Sequence, residues 1–251
     1  MDPDTDIGGG QRRFPVTRQS AIIAARSEDS QVRQGAFDTI LACYWKPAYK
    51  YIRIKWQATN EDAKDLTQGF FANAFEKNHF ADYDATKASF QTFLRTCLDA
   101  FVANQRKADK RLKRGGEFSH LTLDFITAED EIALHRSNFD LTPEEYFYRE
   151  WVRSLFTDAV EALRRRCNES GRSIQFRLFE IYDLGDVEPE VKTSYASLAK
   201  EFSLNPTTVN NYLAATRREF RKAVLEKLRE ITATEEEFRV EARALLGVDM
   251  K

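Results

Sequence analysis

The chain has 251 residues, with 38 Lys and Arg against 40 Asp and Glu, a net charge of −2, and 42% hydrophobic residues. This length allows one large domain or two small ones, and the composition is that of a folded protein. The sequence contains no run of 18 apolar residues, so it predicts no membrane span. The first 13 residues lack the apolar stretch of a secretory signal. The three cysteines and three histidines fit no zinc spacing and no disulfide framework. We therefore expect a cytoplasmic binding protein without metal or other cofactor, rather than an enzyme.

The first half of the chain predicts three amphipathic helices. The first covers about 36–52, where apolar residues recur at helical spacing and Pro47 is expected to kink or restart the helix. The second runs to about residue 77 behind Asn60, which we predict as its N-cap. The third, at about 90–114, has the clearest apolar stripe and turns basic before a Gly-Gly pair ends it.

The second half predicts an acidic connector and further helices. Residues 115–143 are weakly periodic and indicate a linker with a short helix near 128–136. Thr142 and Glu145 have the spacing of a capping box, which begins a helix to about residue 168. Further helices are predicted at about 174–184, 195–202, 206–230 and 235–246. No segment shows sustained period-two alternation, so the predicted fold class is all-α.

Charge is balanced over the whole chain and unbalanced along it. Residues 102–114 carry a net charge of +5 and residues 211–229 a net charge of +4, whereas residues 117–150 carry −7. Two basic helices indicate two contacts with a polyanion, and the alternative is that both are solvated helix faces. A pI of about 6.0 argues against a non-specific polycation.

Two of the C-terminal helices have the spacing of a helix-turn-helix. Ala199 would allow the first helix to approach the second closely, and Leu204 would fill the turn. Asn205 would cap the second helix, and Val209 would anchor it. The first turn of that helix would then present polar side chains to a DNA major groove. The alternative is a generic helix hairpin.

Three blocks of the first half are similar to the core domain of bacterial RNA polymerase sigma factors of the extracytoplasmic-function (ECF) type. These blocks are YWKPAYKYIR at 44–53, EDAKDLTQGFFANAFE at 61–76 and FQTFLRTCLDAFVANQRKADKR at 90–111. The C-terminal half, at about 144–229, resembles the −35-reading domain of the same family. Because the blocks follow the order and spacing of the family over most of the chain, the resemblance is specific.

The resemblance implies a division of the chain into two small helical domains joined by an acidic linker. A leader over 1–17, expected to be disordered, precedes a domain over 18–114 that binds core polymerase and recognises and melts the −10 element. The linker over 115–143 leads to a helix-turn-helix domain over 144–230 that reads the −35 element, and an extension over 231–251 follows. The implied function is promoter recognition and transcription initiation. The alternative is a stand-alone helix-turn-helix regulator that does not contact polymerase.

The resemblance and the residue chemistry together indicate three interfaces. Core polymerase would contact an apolar pair and its polar rim: Asp62, Asp65, Gln68, Phe71 and Phe75. The −10 element would contact loop aromatics and one face of the third helix: Phe80, Tyr83, Arg95, Asn104, Arg106, Lys107, Lys110 and Arg111. The −35 element would contact the second helix of the helix-turn-helix: Thr207, Thr208, Asn210, Asn211, Arg217, Arg218, Arg221 and Lys222.

Several of these assignments have structural alternatives. Phe71 and Phe75 could widen the apolar stripe of their helix, and Phe80 and Tyr83 could be lids of the core. The acidic connector is expected either to thread toward the RNA-exit region of polymerase or to be a solvated tether. The expected partners are core RNA polymerase and promoter DNA, and no membrane. An anti-sigma factor, a regulatory kinase acting on Thr67 and the C-terminal extension are open candidates for regulation.

Overall fold

The computed structural model describes residues 20–109, 123–134, 141–185 and 194–247, and these ranges are helices joined by turns, without a strand. The helices are α1 (Ala21–Ala24), α2 (Ser30–Lys55), α3 (Asn60–Glu76), α4 (Phe90–Asp109), α5 (Phe125–Leu134), α6 (Pro143–Glu169), α7 (Ser173–Phe179), α8 (Tyr195–Glu201), α9 (Pro206–Glu230) and α10 (Glu235–Leu246). A 3-10 turn covers His79–Asp82 and a π turn covers Glu180–Leu184. The all-α prediction is confirmed. Within the described ranges, no helix combines the length and apolar character that crossing a membrane requires.

Side-chain caps fix where the long helices begin. Thr142 and Glu145 form the predicted capping box of α6, and Asn205 caps α9 by accepting from the Thr208 N–H at 2.7 Å. For α3 the predicted cap is wrong by one residue. Thr59 is extended and accepts from the Asp62 N–H at 3.1 Å, whereas Asn60 is already helical.

Helix α2 is longer than predicted and does not restart at its proline. It begins at Ser30, behind the cap Asp29, and continues through Pro47 to Lys55. Pro47 is buried, and α2 packs against α3, α5 and α6. We attribute the continuity to this packing, which offsets the backbone hydrogen bond that a proline removes.

Two hydrophobic clusters share the long helices. The larger one joins α2, α3 and α4 to the first half of α6, where Trp151 stacks on Tyr44 with ring centroids 6.5 Å apart. It also contains the end of α9 and, in α10, Phe238. The smaller cluster joins the second half of α6 to α7, α8 and the start of α9. The boundary between the clusters therefore lies within α6 and α9, rather than at the acidic connector.

The described part of the connector is a helix docked on α2. Arg53 of α2 donates to Glu129 at 2.6 and 3.0 Å, and Lys46 lies 2.9 Å from Glu131. The hydrogen bonds from Arg53 are the main cause that lowers the pKa of Glu129. Residues 123–134 therefore neither thread away from the protein nor form a solvated tether. The rest of the predicted linker and the predicted leader at 1–17 lie outside the described residues.

Candidate protein and nucleic-acid interfaces

The outer face of α3 carries the polar part of the predicted polymerase-docking surface. Asp62 and Asp65 are exposed and Gln68 is half-buried. Thr67 is fully buried, and its hydroxyl donates to the Ala63 carbonyl at 2.7 Å. A kinase cannot reach a hydroxyl in that position, so Thr67 is not an open phosphorylation site in this structure.

The aromatic part of the same surface is mostly inside the protein. Phe71 is 0% exposed and lies edge-on to Phe37, with centroids 6.3 Å apart. Phe75 is half-buried at 4.8 Å from Phe37, so part of its ring reaches the surface. The prediction that Phe71 contacts a partner is corrected: it widens the core stripe of α3. Of the predicted docking residues, the structure leaves Asp62, Asp65, Gln68 and part of Phe75 accessible.

The loop aromatics predicted to stack on an unpaired base are buried as well. Phe80 and Tyr83 are each 3% exposed and pack against Phe90 at the start of α4. The Tyr83 hydroxyl lies 3.0 Å from both the Ala88 carbonyl and the Glu237 carboxylate, which share its one proton, and burial raises the pKa of Tyr83. In this structure both side chains are lids of the core, which corrects the prediction that they are open to a base.

The second half of α4 presents a polar and basic face. Asn104, Arg106 and Lys107 are exposed. The Arg106 guanidinium lies over the Trp56 ring, 5.1 Å from its centroid, and also donates to the Trp56 carbonyl. These contacts leave Asn104 and Lys107 on the surface, beside an arginine that rests on an aromatic ring.

The first half of α4 is tied to α6 instead. Arg95 is half-buried and pairs with Glu144 at 2.9 Å, and Lys55 approaches the same carboxylate at 3.4 Å. Arg95 is therefore already engaged by a carboxylate of the same chain, which corrects its assignment as an open DNA contact. Lys110 and Arg111 lie outside the described residues.

Asp99 joins α4 to the end of α2, a role that sequence reasoning missed. Its carboxylate accepts from the Tyr51 hydroxyl at 3.0 Å and the Trp56 indole N–H at 3.0 Å, and pairs with Lys55 at 2.8 Å. These partners lie 43 to 48 residues away along the chain, so no local sequence spacing predicts the contact. The hydrogen bond to Asp99 holds the Trp56 ring, on which Arg106 lies.

Helices α8 and α9 meet across a short turn. Val209 and Leu213 are fully buried, and the Leu204 N–H of the turn donates to the Ala199 carbonyl at 2.8 Å. Ala199 is itself buried, as expected for a residue at a close helix contact. Ala199, Val209 and Leu213 therefore belong to one buried cluster between α8 and α9.

The opposite face of α9 is polar. In its first turns Thr207, Asn210 and Asn211 are exposed, while Thr208 is half-buried. Further along, the exposed cations are Arg218, Arg221 and Lys222.

Arg217 differs from its neighbours on α9. Its guanidinium binds both oxygens of Asp183 at 2.8 to 3.1 Å and lies over the Tyr182 ring, 5.4 Å from the centroid. The hydrogen bonds to Asp183 are the main cause that raises the pKa of Arg217. Its assignment to DNA is corrected: Arg217 ties α9 to the π turn after α7.

Comparison with protein-family models, with curated proteins and with solved structures finds no match for this chain. The resemblance to sigma factors therefore rests on the sequence blocks quoted above. The geometry of α3, α4 and α9 shows which of the predicted contact residues reach the surface.

The described residues do not bring His, Cys, Asp and Glu side chains together in a group of three that could hold a metal ion. The Cys43 thiol donates to Asp158 at 3.7 Å between α2 and α6. Burial raises the pKa of the Cys43 thiol, which keeps it protonated and unreactive. Cys43 is thus a packing residue of the α2–α6 contact.

Proposed function

We propose that the chain is an RNA polymerase sigma factor that binds core polymerase and directs it to promoter DNA through a −10 and a −35 contact. The observation that carries the proposal is the division of α9 into two faces. Val209 and Leu213 are buried against α8, while Asn210 and Asn211 point away from that contact and are exposed. This is the division that a recognition helix needs, because one face must pack and the other must read bases.

The −35 contact would use α9 along its length. An asparagine amide matches the donor and acceptor of adenine in the major groove, so Asn210 or Asn211 would read an A·T pair. Arg218, Arg221 and Lys222 would lie beside the backbone and contribute affinity that does not depend on sequence. Helices α8 and α9 would form the helix-turn-helix of a −35-reading domain.

The −10 contact would use the second half of α4. Asn104 is the one neutral side chain among the exposed predicted contacts there and can hydrogen-bond a base edge, whereas Arg106 and Lys107 would hold phosphates. The contact with polymerase would use α3, which carries two exposed carboxylates in its first turns and the half-buried Phe75 near its C-terminal end. Exposed carboxylates on the same helix as a partly accessible aromatic ring suit a protein partner with basic side chains rather than DNA. A factor of this kind works in the cytoplasm.

The test is reconstituted transcription with purified core polymerase on a library of genomic promoter fragments. We expect transcripts only when the protein is added, from promoters that share a −10 and a −35 element at a fixed spacing. Asp65→Lys should abolish these transcripts, whereas Glu28→Lys, an exposed charge reversal away from α3, should not. A palindromic footprint that forms without polymerase would overturn the proposal in favour of a stand-alone regulator that binds as a dimer.

A further inference from the structure

Helix α10 closes against the segment that would capture a promoter base. Phe238 and Ala242 are buried in the larger hydrophobic cluster, and the Arg229 guanidinium lies 3.9 Å from the centroid of the Phe238 ring. Thr234 caps the helix, and Gly247 ends it in the left-handed conformation, with φ of 61°. Residues 235–246 of the C-terminal extension therefore form a helix that packs on the larger hydrophobic cluster.

Glu237 of α10 binds both ends of the segment 83–90. Its carboxylate accepts from the Tyr83 hydroxyl at 3.0 Å and from the Phe90 N–H at 2.9 Å. The Phe90 N–H is one of the unpaired donors at the start of α4, where a carboxylate is favoured by the helix dipole. A single side chain thus holds Tyr83 against the first residue of the helix that follows.

Glu241, one turn further along α10, extends the same contact. Its carboxylate accepts from the Gln91 amide at 3.3 Å and from the Tyr148 hydroxyl of α6 at 3.2 Å. Glu241 is buried, and burial raises its pKa. Helix α10 therefore joins the start of α4 to α6, across the contact between the N-terminal and C-terminal halves.

Tyr83 is held from a second side as well. Arg26, directly after α1, donates to the Tyr83 carbonyl, while the Tyr83 ring packs on Phe90. Phe80 lies beneath the same ring of Phe90. In this arrangement neither aromatic ring is accessible to a base, and of the two only Tyr83 is bonded directly to α10 in the part of the chain that the structure describes.

We propose that α10 is an intramolecular latch, meaning that it holds residues 83–90 closed in the protein without DNA and must release them before the −10 element is melted. The requirement for melting rests on the proposed function. Two features suit α10 to reversible release. Its buried apolar residues are Phe238 and Ala242, while Leu245 and Leu246 pack against the same cluster only partly buried. A helix of 12 residues is also too short to be stable in isolation, so an undocked α10 would unravel.

The closure is tested by hydrogen exchange on the full chain, without polymerase or DNA. Glu237→Ala should accelerate exchange of the amides at 83–93 about tenfold, which corresponds to a free energy of local opening lowered by about 1.4 kcal/mol. Exchange of the amides in α6 and α9 should not change. Glu236→Ala, an exposed neighbour on α10, is the matched control and should behave like the wild type. Unchanged exchange at 83–93, or equal acceleration throughout α6 and α9, would overturn the latch.

The role in melting is tested with polymerase and a promoter that carries 2-aminopurine at the −10 position. If α10 must release, Glu237→Ala should raise the rate of the fluorescence increase several-fold relative to Glu236→Ala. An equal rate in both variants would overturn the latch as a step before melting. If the wild-type protein supports no transcription at all, the proposed function fails, and the exchange experiment still decides whether α10 closes the segment.

Discussion

Lys50 is the most consequential buried charge in the described structure, and its replacement gives the sharpest test of the packing. The side chain is 0% exposed, and its ammonium lies 2.5 Å from Glu150 of α6 and 2.5 Å from Glu131 of α5. Glu150 is 2% exposed. Lys50→Met would keep the volume of the side chain and leave a buried carboxylate without its closest cation.

The expected cost follows from that burial. Removing one member of a buried ion pair destabilises a protein by about 3–5 kcal/mol, because the remaining charge is desolvated without compensation. For a chain of this size, that corresponds to a fall in Tm of roughly 6–20 °C. The Arg153 guanidinium, 2.9 Å from Glu150 and partly exposed, compensates only part of the charge, which places the expected cost toward the lower end of the range.

Two further variants make the measurement decisive. Lys46→Met removes a partner of the same Glu131, but Lys46 is partly exposed, so its loss should cost less than about 1 kcal/mol. Lys50→Met with Glu150→Leu removes both buried charges and should be more stable than Lys50→Met alone. The assay is urea and thermal unfolding followed by circular dichroism at 222 nm. A cost for Lys50→Met no larger than for Lys46→Met, or strictly additive costs in the double variant, would refute the reasoning.

Outcomes are also expected for four other variants. Phe71→Ala should lower the free energy of unfolding by about 3–5 kcal/mol, because it leaves a cavity in the core. Asp65→Lys should change the free energy of unfolding by less than about 0.5 kcal/mol, but it should weaken co-purification with core polymerase. Glu129→Gln should make the free energy of unfolding less dependent on pH in the acid range. Arg53 holds the pKa of the wild-type carboxylate below the ordinary 4.5, so this carboxylate stabilises the fold above pH 4.5 and loses that contribution as the pH falls through the folded pKa. The urea midpoints at neutral and acid pH should therefore differ less in the variant than in the wild type. Asn211→Ala should cost roughly 1–3 kcal/mol of promoter affinity at a single A·T position of the −35 element, and an equal loss at every position in a competition binding assay would argue against base reading.

Local rules determined the helices of this protein. The apolar period located α3, α4, α6 and α9 to within a few residues, because a helix that packs on one side must repeat its apolar residues every three to four positions. The capping box at Thr142 and the cap at Asn205 were readable because each joins residues only three apart. Such signals are complete within one turn of helix, and they need no knowledge of the rest of the fold.

Solvent exposure was harder to infer for the aromatic residues. Phe71, Phe80 and Tyr83 are all buried, although the sequence allowed them to be contact residues. The period of α3 identifies an apolar stripe, but the width of that stripe depends on how many neighbours cover it. Phe37 of α2 supplies the additional cover for both Phe71 and Phe80, and that neighbour is decided by tertiary packing.

Local sequence patterns were sufficient to predict the all-α class, the starts of α6 and α9 and the two faces of α9. The partners of two carboxylates came from tertiary packing: Glu150 pairs with Lys50 across 100 residues, and Glu237 accepts a hydrogen bond from Tyr83 across 154. The physical reason is that helical periodicity specifies which face of each helix is buried, but not which other helix covers it. A buried charge needs a partner, and the choice among many carboxylates is made only when the faces meet.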